Sequence, residues 1–284
     1  MSRAKLGAID PNNLAQARLV IHWAAQVVSA AGNGRLPARN DSSHTNLGWS
    51  HDLDALVTHP LTHQPGGVDE GDVVAGIVPG SLELFVARGG SAVANEPLRG
   101  KTLKEGLEWL KQALDAELER PAELVPPEHD MPEHPLGAGA VFPAPESAAY
   151  GEVAQWFHLA HHLLSEVAAH NRDRAPAPRC WPHHFDIATL ITIEAHDDAE
   201  KAKSVGIGMT PGDDSYAQPY FYVTAWPYPQ KTTLPELRHG KWHTEGWMGA
   251  VLTATETLAA DDPTSRARAF IDDALAVNLT MLVG

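Results

Sequence analysis

The fold is decided by two stretches, Trp181-Pro-His-His-Phe-Asp186 and Gly208-Met-Thr-Pro-Gly212, because each has a counterpart earlier in the chain. The counterparts are Trp49-Ser-His-Asp-Leu-Asp54 and Gly76-Ile-Val-Pro-Gly80, and both pairs are offset by 132 residues. Similar segments at one fixed spacing are the sequence sign of an internal duplication. Chance similarity between two amphipathic segments is the alternative. The duplication predicts two similar units.

Local signals give each predicted unit the same order of elements. Helical periodicity and capping residues predict helices over 12–31, from Thr102 onward, over 147–170 and over 263–282. The first of these helices is expected to stop at Gly32-Asn33-Gly34.

Apolar runs on either side of a Pro-Gly turn predict strands at 73–78, 81–88, 205–209 and 219–226, and a further strand is expected within 242–255. The expected fold is α+β. It has two similar helix–sheet–helix units with mostly antiparallel strands in a pseudo-two-fold arrangement.

The boundaries predicted for the two repeat units and their connector are taken from changes in amino-acid composition along the chain. The first repeat unit covers 1–120, and a connector with seven prolines covers 121–147. The second unit covers 148–284 and carries an insertion rich in aromatic residues and histidine at 227–260. Long decorated insertions often carry function.

Composition excludes several classes of function. The net charge of −15 disfavours a nucleic-acid partner, since phosphate backbones are repelled by a negative surface. The single cysteine, Cys180, allows no internal disulfide. No apolar run is long enough for a membrane span, and the N-terminus has no signal-peptide pattern. No P-loop or dinucleotide-binding glycine motif is present, so no nucleotide cofactor is expected. A cytoplasmic protein with no membrane partner is the expectation.

Histidine, with 16 residues, is the unusual component. In the helix over 147–170, His158 and His162 lie four residues apart on one face, which is the spacing that lets two imidazoles bind one metal ion. Both point away from the apolar face of that helix, so a plain solvated surface is the alternative.

The motif at 181–186 gives a second candidate. If it is an extended strand, Trp181, His183 and Phe185 lie on one side of it. Trp181 would then contact a substrate and His183 would act in catalysis or complete a metal shell. A structural histidine packed against aromatic rings is the alternative.

The insertion gives a third candidate. In an extended Trp242–Trp247 segment, His243 and Glu245 share a face, and a carboxylate beside a histidine suits metal binding or acid–base catalysis. The aromatic side chains of Tyr222, Trp242 and Trp247 could wall a small-molecule pocket. Plain core packing is again the alternative. The cluster at Glu128-His129-Asp130 lies in the proline-rich connector and is interpreted as solvated linker.

The last 105 residues or so, from Cys180 onward, resemble a bacterial family classed only as a domain of unknown function. Five features carry the resemblance: Trp181 with Phe185-Asp186, Pro211-Gly212, Pro219-Tyr-Phe-Tyr-Val223, the spacing His243, Gly246, Gly249 and Leu252, and Asp262-Pro263. The resemblance implies a shared fold and no particular chemistry. His183-His184 departs from the small residues expected there in many relatives.

The sequence thus predicts a histidine-rich, metal-dependent enzyme that acts on a small molecule in an aromatic-lined pocket. His158, His162 and His243 are the expected ligands of a divalent transition metal (Zn, Fe or Cu), and His183 and Glu245 are the expected catalytic groups. The reaction, hydrolytic or oxidative, stays open, as does the oligomeric state. The alternative function is a small-molecule-binding protein without catalysis.

Overall fold

The computed structural model describes residues 6–62, 71–118, 121–126, 128–144, 147–196 and 198–283. It has an α+β fold in which the strand pairings of both sheets are antiparallel. The chain divides into two compact units. Unit 1 contains Met1–Ile9, Leu14–Gln155 and Arg179–Phe185, and unit 2 contains Asp10–Asn13, Trp156–Pro178 and Asp186–Gly284.

Unit 1 is built on a five-stranded sheet with the order β1-β2-β3-β4-β5. The strands are β1 Gly48–Ser50, β2 Ala55–Val57, β3 Val73–Val78, β4 Glu83–Arg88 and β5 Ser91–Pro97. The predicted strand pair around Pro79-Gly80 is confirmed as β3 and β4. Two helices, α1 Ala15–Arg35 and α2 Leu103–Glu117, complete the unit with a short strand β6, Arg179–Trp181, whose Cys180 bridges to Leu47.

Helix α1 is buried on nearly every side, as its alanine- and valine-rich sequence requires. The expected stop at Gly32-Asn33-Gly34 is wrong, because the helix continues to Arg35. The two glycines serve close packing instead. A Cβ at Gly34 would lie 2.1 Å from the carbonyl oxygen of Glu123, and one at Gly32 would lie 2.8 Å from that of His44.

Helix α2 begins where the sequence predicts. The Thr102 hydroxyl caps it by accepting a hydrogen bond from the Glu105 amide, and the Glu105 carboxylate accepts one from the Thr102 amide. This reciprocal capping box satisfies two amides that a helix start otherwise leaves unpaired. Leu110 and Leu114, on the inner face, are buried.

Unit 2 is built on strands in the order β10-β11-β9-β8-β7. Their bounds are β7 Asp186–Glu194, β8 Lys203–Thr210, β9 Tyr220–Trp226, β10 Lys241–His243 and β11 Gly249–Thr253. The predicted helix over 147–170 is confirmed as α3, Ser147–His170, whose residues from Trp156 onward belong to unit 2. Helices α4, Ala254–Leu258, and α5, Pro263–Val283, follow the sheet.

Two segments that were predicted to be extended throughout contain turns. Residues 182–185 form a turn, with Phe185 at a φ of 55°, so the alternation of sides expected for Trp181, His183 and Phe185 is wrong. The expected strand over 242–255 is two strands, and Gly246 turns the chain between them at a φ of 82°. A left-handed conformation interrupts the period of two that a strand imposes.

Within the described ranges, no helix is both long enough and apolar enough to cross a membrane. The described part of 121–147, expected as a connector, lies in unit 1.

Candidate functional site

A cavity with a volume of about 580 Å³ lies in unit 1. Polar and ionisable side chains form most of its lining: Asn33, Asn40, Asp41, Ser42, His44, Thr45, Val125, Glu128, His129 and His183. We call this cavity the histidine pocket. Its volume lies within the range typical of small-molecule sites.

One wall of the pocket is the segment expected to be a solvated linker, in which Glu128 and Asp130 are exposed and His129 is half-buried. The segment is tied to α1 by three hydrogen bonds. The Val125 amide donates to the Ala30 carbonyl at 3.0 Å, the Asn33 amide group donates to the Val125 carbonyl at 3.0 Å, and Trp23 donates to the Pro132 carbonyl at 3.2 Å. These contacts bring His129 into the wall.

A second wall is the turn at 182–185. It closes where the Phe185 amide donates to the Trp181 carbonyl at 2.7 Å. The carbonyl of Pro182 accepts from His22 Nε2 at 2.7 Å and from Gln26 Nε2 at 2.9 Å, so two buried side chains of α1 hold the turn. His22 also stacks on Phe185 with ring centroids 4.8 Å apart. The turn thereby presents His183 to the cavity.

His44 is a structural part of the wall. Its Nδ1 accepts from the Arg39 amide at 3.2 Å, and its Nε2 lies 3.2 Å from the side-chain oxygen Oδ1 of Asn33. An amide oxygen only accepts, so Nε2 carries the proton and both ring nitrogens are engaged. His44 is therefore not available as a metal ligand in this arrangement.

His129, His183 and His184 form a cluster of rings at the pocket. The ring centroids of His129 and His183 are 5.9 Å apart, and those of His183 and His184 are 4.2 Å apart. Trp181 packs edge-on against His183 at 5.9 Å. Sequence reasoning joined His183 to Trp181 but did not join either to His129.

Burial lowers the pKa of three histidines in this region, His183, His22 and His129. Burial lowers the pKa of His183 to about 4, with the neighbouring His184 and His129 adding to the effect. Burial also lowers the pKa of His22 to about 4, although its bond to Pro182 opposes the shift. The pKa of His129 is lowered by burial and by His184. Neutral imidazoles keep a lone pair for a metal ion or a hydrogen-bond donor.

One atom of the cluster lacks a partner. His129 Nε2 is buried, and none of the described residues hydrogen-bonds to it. Leaving a buried polar atom unpaired costs roughly 1–3 kcal/mol, so such atoms in folded proteins call for an explanation.

A layer of hydrogen bonds in unit 1 fixes the loop that carries His44. Arg179 donates to the side-chain oxygen of Asn46 at 2.8 Å and to its carbonyl at 3.0 Å. His59 Nε2 lies 2.9 Å from the same side-chain oxygen. Burial and the nearby Arg179 lower the pKa of His59 to about 4. A smaller cavity of about 160 Å³, lined partly by His44 and His59, adjoins this layer.

In unit 2, three predicted site residues meet. Trp247 stacks on His243 with ring centroids 4.3 Å apart and lies edge-on to Tyr222 at 6.3 Å. Both ring nitrogens of His243 are engaged, with Tyr216 and with the main-chain carbonyl of Glu245. The contact between Glu245 and the His243 ring is made by the Glu245 main-chain carbonyl, and Glu245 is an exposed residue.

His162, His158 and Trp242 complete the set of predicted site residues. His162 is 52% exposed and pairs with Glu166 at 3.4 Å on the surface of α3. His158 is half-buried on the same helix. Trp242 donates to the Pro235 carbonyl at 2.7 Å. Across the described ranges no group of three or more His, Cys, Asp or Glu side chains stands ready to hold a metal ion.

Comparison with protein-family models, with curated proteins and with solved structures gave no match to this chain. The resemblance of the last 105 residues or so to an uncharacterised bacterial family therefore stays a prediction.

Proposed function

We propose that this chain is a metal-dependent enzyme that acts on a small polar molecule, and that its site is the histidine pocket of unit 1. The observation that supports it most directly is the buried, unpartnered Nε2 of His129 beside the ring of His183. Both side chains line one cavity of about 580 Å³.

The ligand chemistry supports a divalent transition metal. Zinc bonds to imidazole nitrogen at about 2.0–2.1 Å, and the His129 and His183 rings are neighbours with centroids 5.9 Å apart. Glu128 and Asp41 line the same cavity and offer carboxylate oxygens. Imidazole and carboxylate ligands suit Zn, Fe or Cu. A metal ion held there would act as a Lewis acid or would activate a water molecule.

The remaining lining offers substrate contacts. Asn33, Asn40 and Thr45 supply hydrogen-bonding groups around the cavity. Trp181 would affect the substrate only by positioning His183, whose ring it packs against. A polar lining of this kind favours a substrate with several hydrogen-bonding groups over an apolar one.

Metal analysis of protein purified without a histidine tag tests the proposal. We expect close to one transition-metal ion per chain, lost in His129→Ala and in His183→Ala. The matched control is the pair His158→Ala and His162→Ala on α3, which should keep the metal. A metal-free chain after reconstitution, or loss in the α3 variants alone, would refute the assignment to the pocket.

The second candidate is a small-molecule-binding protein without catalysis. It is favoured by His44, whose two engaged nitrogens make it a rigid wall, and by the absence of a preassembled set of three ligands in the described residues. A thermal-shift screen of metal-free protein separates the candidates. Val125→Trp should block the pocket and abolish the hits, whereas the exposed Val93→Trp on β5 should not.

We also propose that the two units descend from one duplicated unit. A glycine faces an aromatic ring across two strands in both: Gly76 pairs with Phe85, and Gly208 pairs with Tyr222. A Cβ on either glycine would meet that ring, at 2.2 Å and 2.4 Å. The repeated glycine–aromatic pair at equal places in the two hairpins supports common descent.

A cytoplasmic location belongs to the same proposal. Its support is the single Cys180, which fits a reducing compartment. The net charge of −15 separately disfavours nucleic acid as a partner. Cell fractionation with an antibody to the chain would contradict it by finding the protein outside the cytoplasmic fraction.

A further inference from the structure

The aromatic cluster of unit 2 holds a chain of hydrogen bonds that the proposed function does not use. The hydroxyl of Tyr216 lies 3.1 Å from His243 Nδ1, and His243 Nε2 lies 2.6 Å from the Glu245 carbonyl oxygen. We propose that Tyr216 is a nucleophile that His243 activates as general base, and that it takes acyl groups from activated esters.

The hydrogen bonds fix the role of each atom. A carbonyl oxygen can only accept, so His243 Nε2 carries the proton of the neutral ring. Nδ1 then has a lone pair and accepts the hydrogen bond from the Tyr216 hydroxyl. This is the arrangement of nucleophile, base and orienting group that activates hydroxyl nucleophiles in general.

Neighbouring contacts hold both partners in place. The Asp213 carboxylate accepts from the amides of Ser215 at 2.8 Å and Tyr216 at 3.0 Å, which fixes the loop that carries the nucleophile. Trp247 stacks on the His243 ring at 4.3 Å, and its indole nitrogen donates to Ser215 Oγ at 3.3 Å. Side chains locked in this way lose little freedom when they react.

Charge also bears on the reaction. The Lys241 ammonium lies 5.3 Å from the centroid of the Tyr216 ring, where it favours negative charge developing on the phenol. Burial, with Glu256 and Asp213 nearby, raises the pKa of Tyr216. A standing phenolate is therefore disfavoured at neutral pH, and the tyrosine needs the adjacent base.

The step balances without any further reactant. Tyr216 Oη bonds to the ester carbonyl carbon as its proton moves to His243 Nδ1. The tetrahedral carbon then expels the alkoxide or phenolate, which takes the proton from Nδ1. The products are an O-acylated Tyr216, a neutral His243 and a free alcohol or phenol.

The test uses p-nitrophenyl acetate on the full chain, with acetylation mapped by peptide mass spectrometry. Tyr228, 47% exposed, serves as the internal control in the same unit. General base assistance is worth roughly a hundredfold or more, so Tyr216 should acetylate faster than Tyr228 by about that factor. In His243→Phe, which keeps a ring against Trp247, the Tyr216 rate should fall to that of Tyr228. A melting curve confirms that the variant is folded, and His243→Gln replaces it if it is not.

Three results would overturn the proposal. Tyr216 could label no faster than Tyr228, its labelling could be unchanged in both His243 variants, or the acetyl group could be found on His243 or Lys241 instead. None of these results bears on metal binding in the histidine pocket, so the two proposals fail separately.

Discussion

Replacing His22 with glutamine should make the stability of the protein less sensitive to acid. The His22 side chain is 4% exposed, donates to the Pro182 carbonyl and stacks on Phe185. Burial lowers its pKa from 6.5 to about 4 in the folded chain. Glutamine keeps a donor for Pro182 but cannot be protonated in this range.

The sign and size follow from proton linkage. Between about pH 6.5 and pH 4 the unfolded chain binds a proton at His22 that the folded chain does not bind. The stabilisation that depends on neutral His22 is therefore fully present above this pH range, and it is lost as the pH drops through the range. Between about pH 7 and pH 5 the loss due to His22 is on the order of 2 kcal/mol.

The assay is urea unfolding at a series of pH values between about 7 and 5. His22→Gln should lower stability at about pH 7, since it loses the stacking on Phe185. Between about pH 7 and pH 5, the free energy of unfolding of the variant should nevertheless fall by less than that of the wild type, by on the order of 2 kcal/mol. His170→Gln, at the exposed end of α3, is the control and should follow the wild-type slope. Equal slopes in the wild type and His22→Gln would refute the claim that His22 is held neutral by burial.

Three further changes test the packing. Gly34→Ala places a methyl group against the Glu123 carbonyl and should cost roughly 1–3 kcal/mol, measured as a lower urea midpoint; an unchanged midpoint would mean the connector is not docked on α1. Thr102→Ala removes a capping box and should lower the free energy of unfolding by about 1 kcal/mol, whereas Thr102→Ser should retain most of it. Tyr222→Phe removes the hydroxyl that donates to the buried Asp186 carboxylate and should cost about 1.5–3 kcal/mol; a neutral effect by thermal unfolding would show that this bond adds nothing.

The elements predicted correctly carry local signals. Strands β3 and β4 are largely buried apolar runs on either side of Pro79-Gly80, and α2 begins at a capping box. Strand β5, Ser91–Pro97, was not predicted, because its residues are mostly exposed and lack an apolar alternation. Its extended form comes from pairing with β4, which is a tertiary effect.

The turn at 182–185 shows why the candidate site was only partly predictable. Phe185 adopts a left-handed conformation that aromatic residues rarely take, so its sequence indicates a strand. The conformation is held by the stacking of His22, 163 positions away in the chain. Such a long-range contact leaves no local signal.

His129 is the residue that sequence reasoning set aside and the structure places in the pocket. Prolines on both sides gave its segment the composition of a linker. Its burial depends on the hydrogen bonds that tie Val125 and Pro132 to α1, and on Gly34, which lets the backbone of Glu123 approach. The ligand-rich run Glu128-His129-Asp130 was the available signal.

The most direct test of the histidine pocket is nitrogen-15 NMR of the imidazole rings, recorded on metal-free protein at about pH 7 before and after one equivalent of Zn²⁺. The account predicts that ring nitrogens of His129 and His183 shift to metal-bound values together, while those of His162 stay unchanged. Shifts confined to His158 and His162, or no shift at His129, would contradict it.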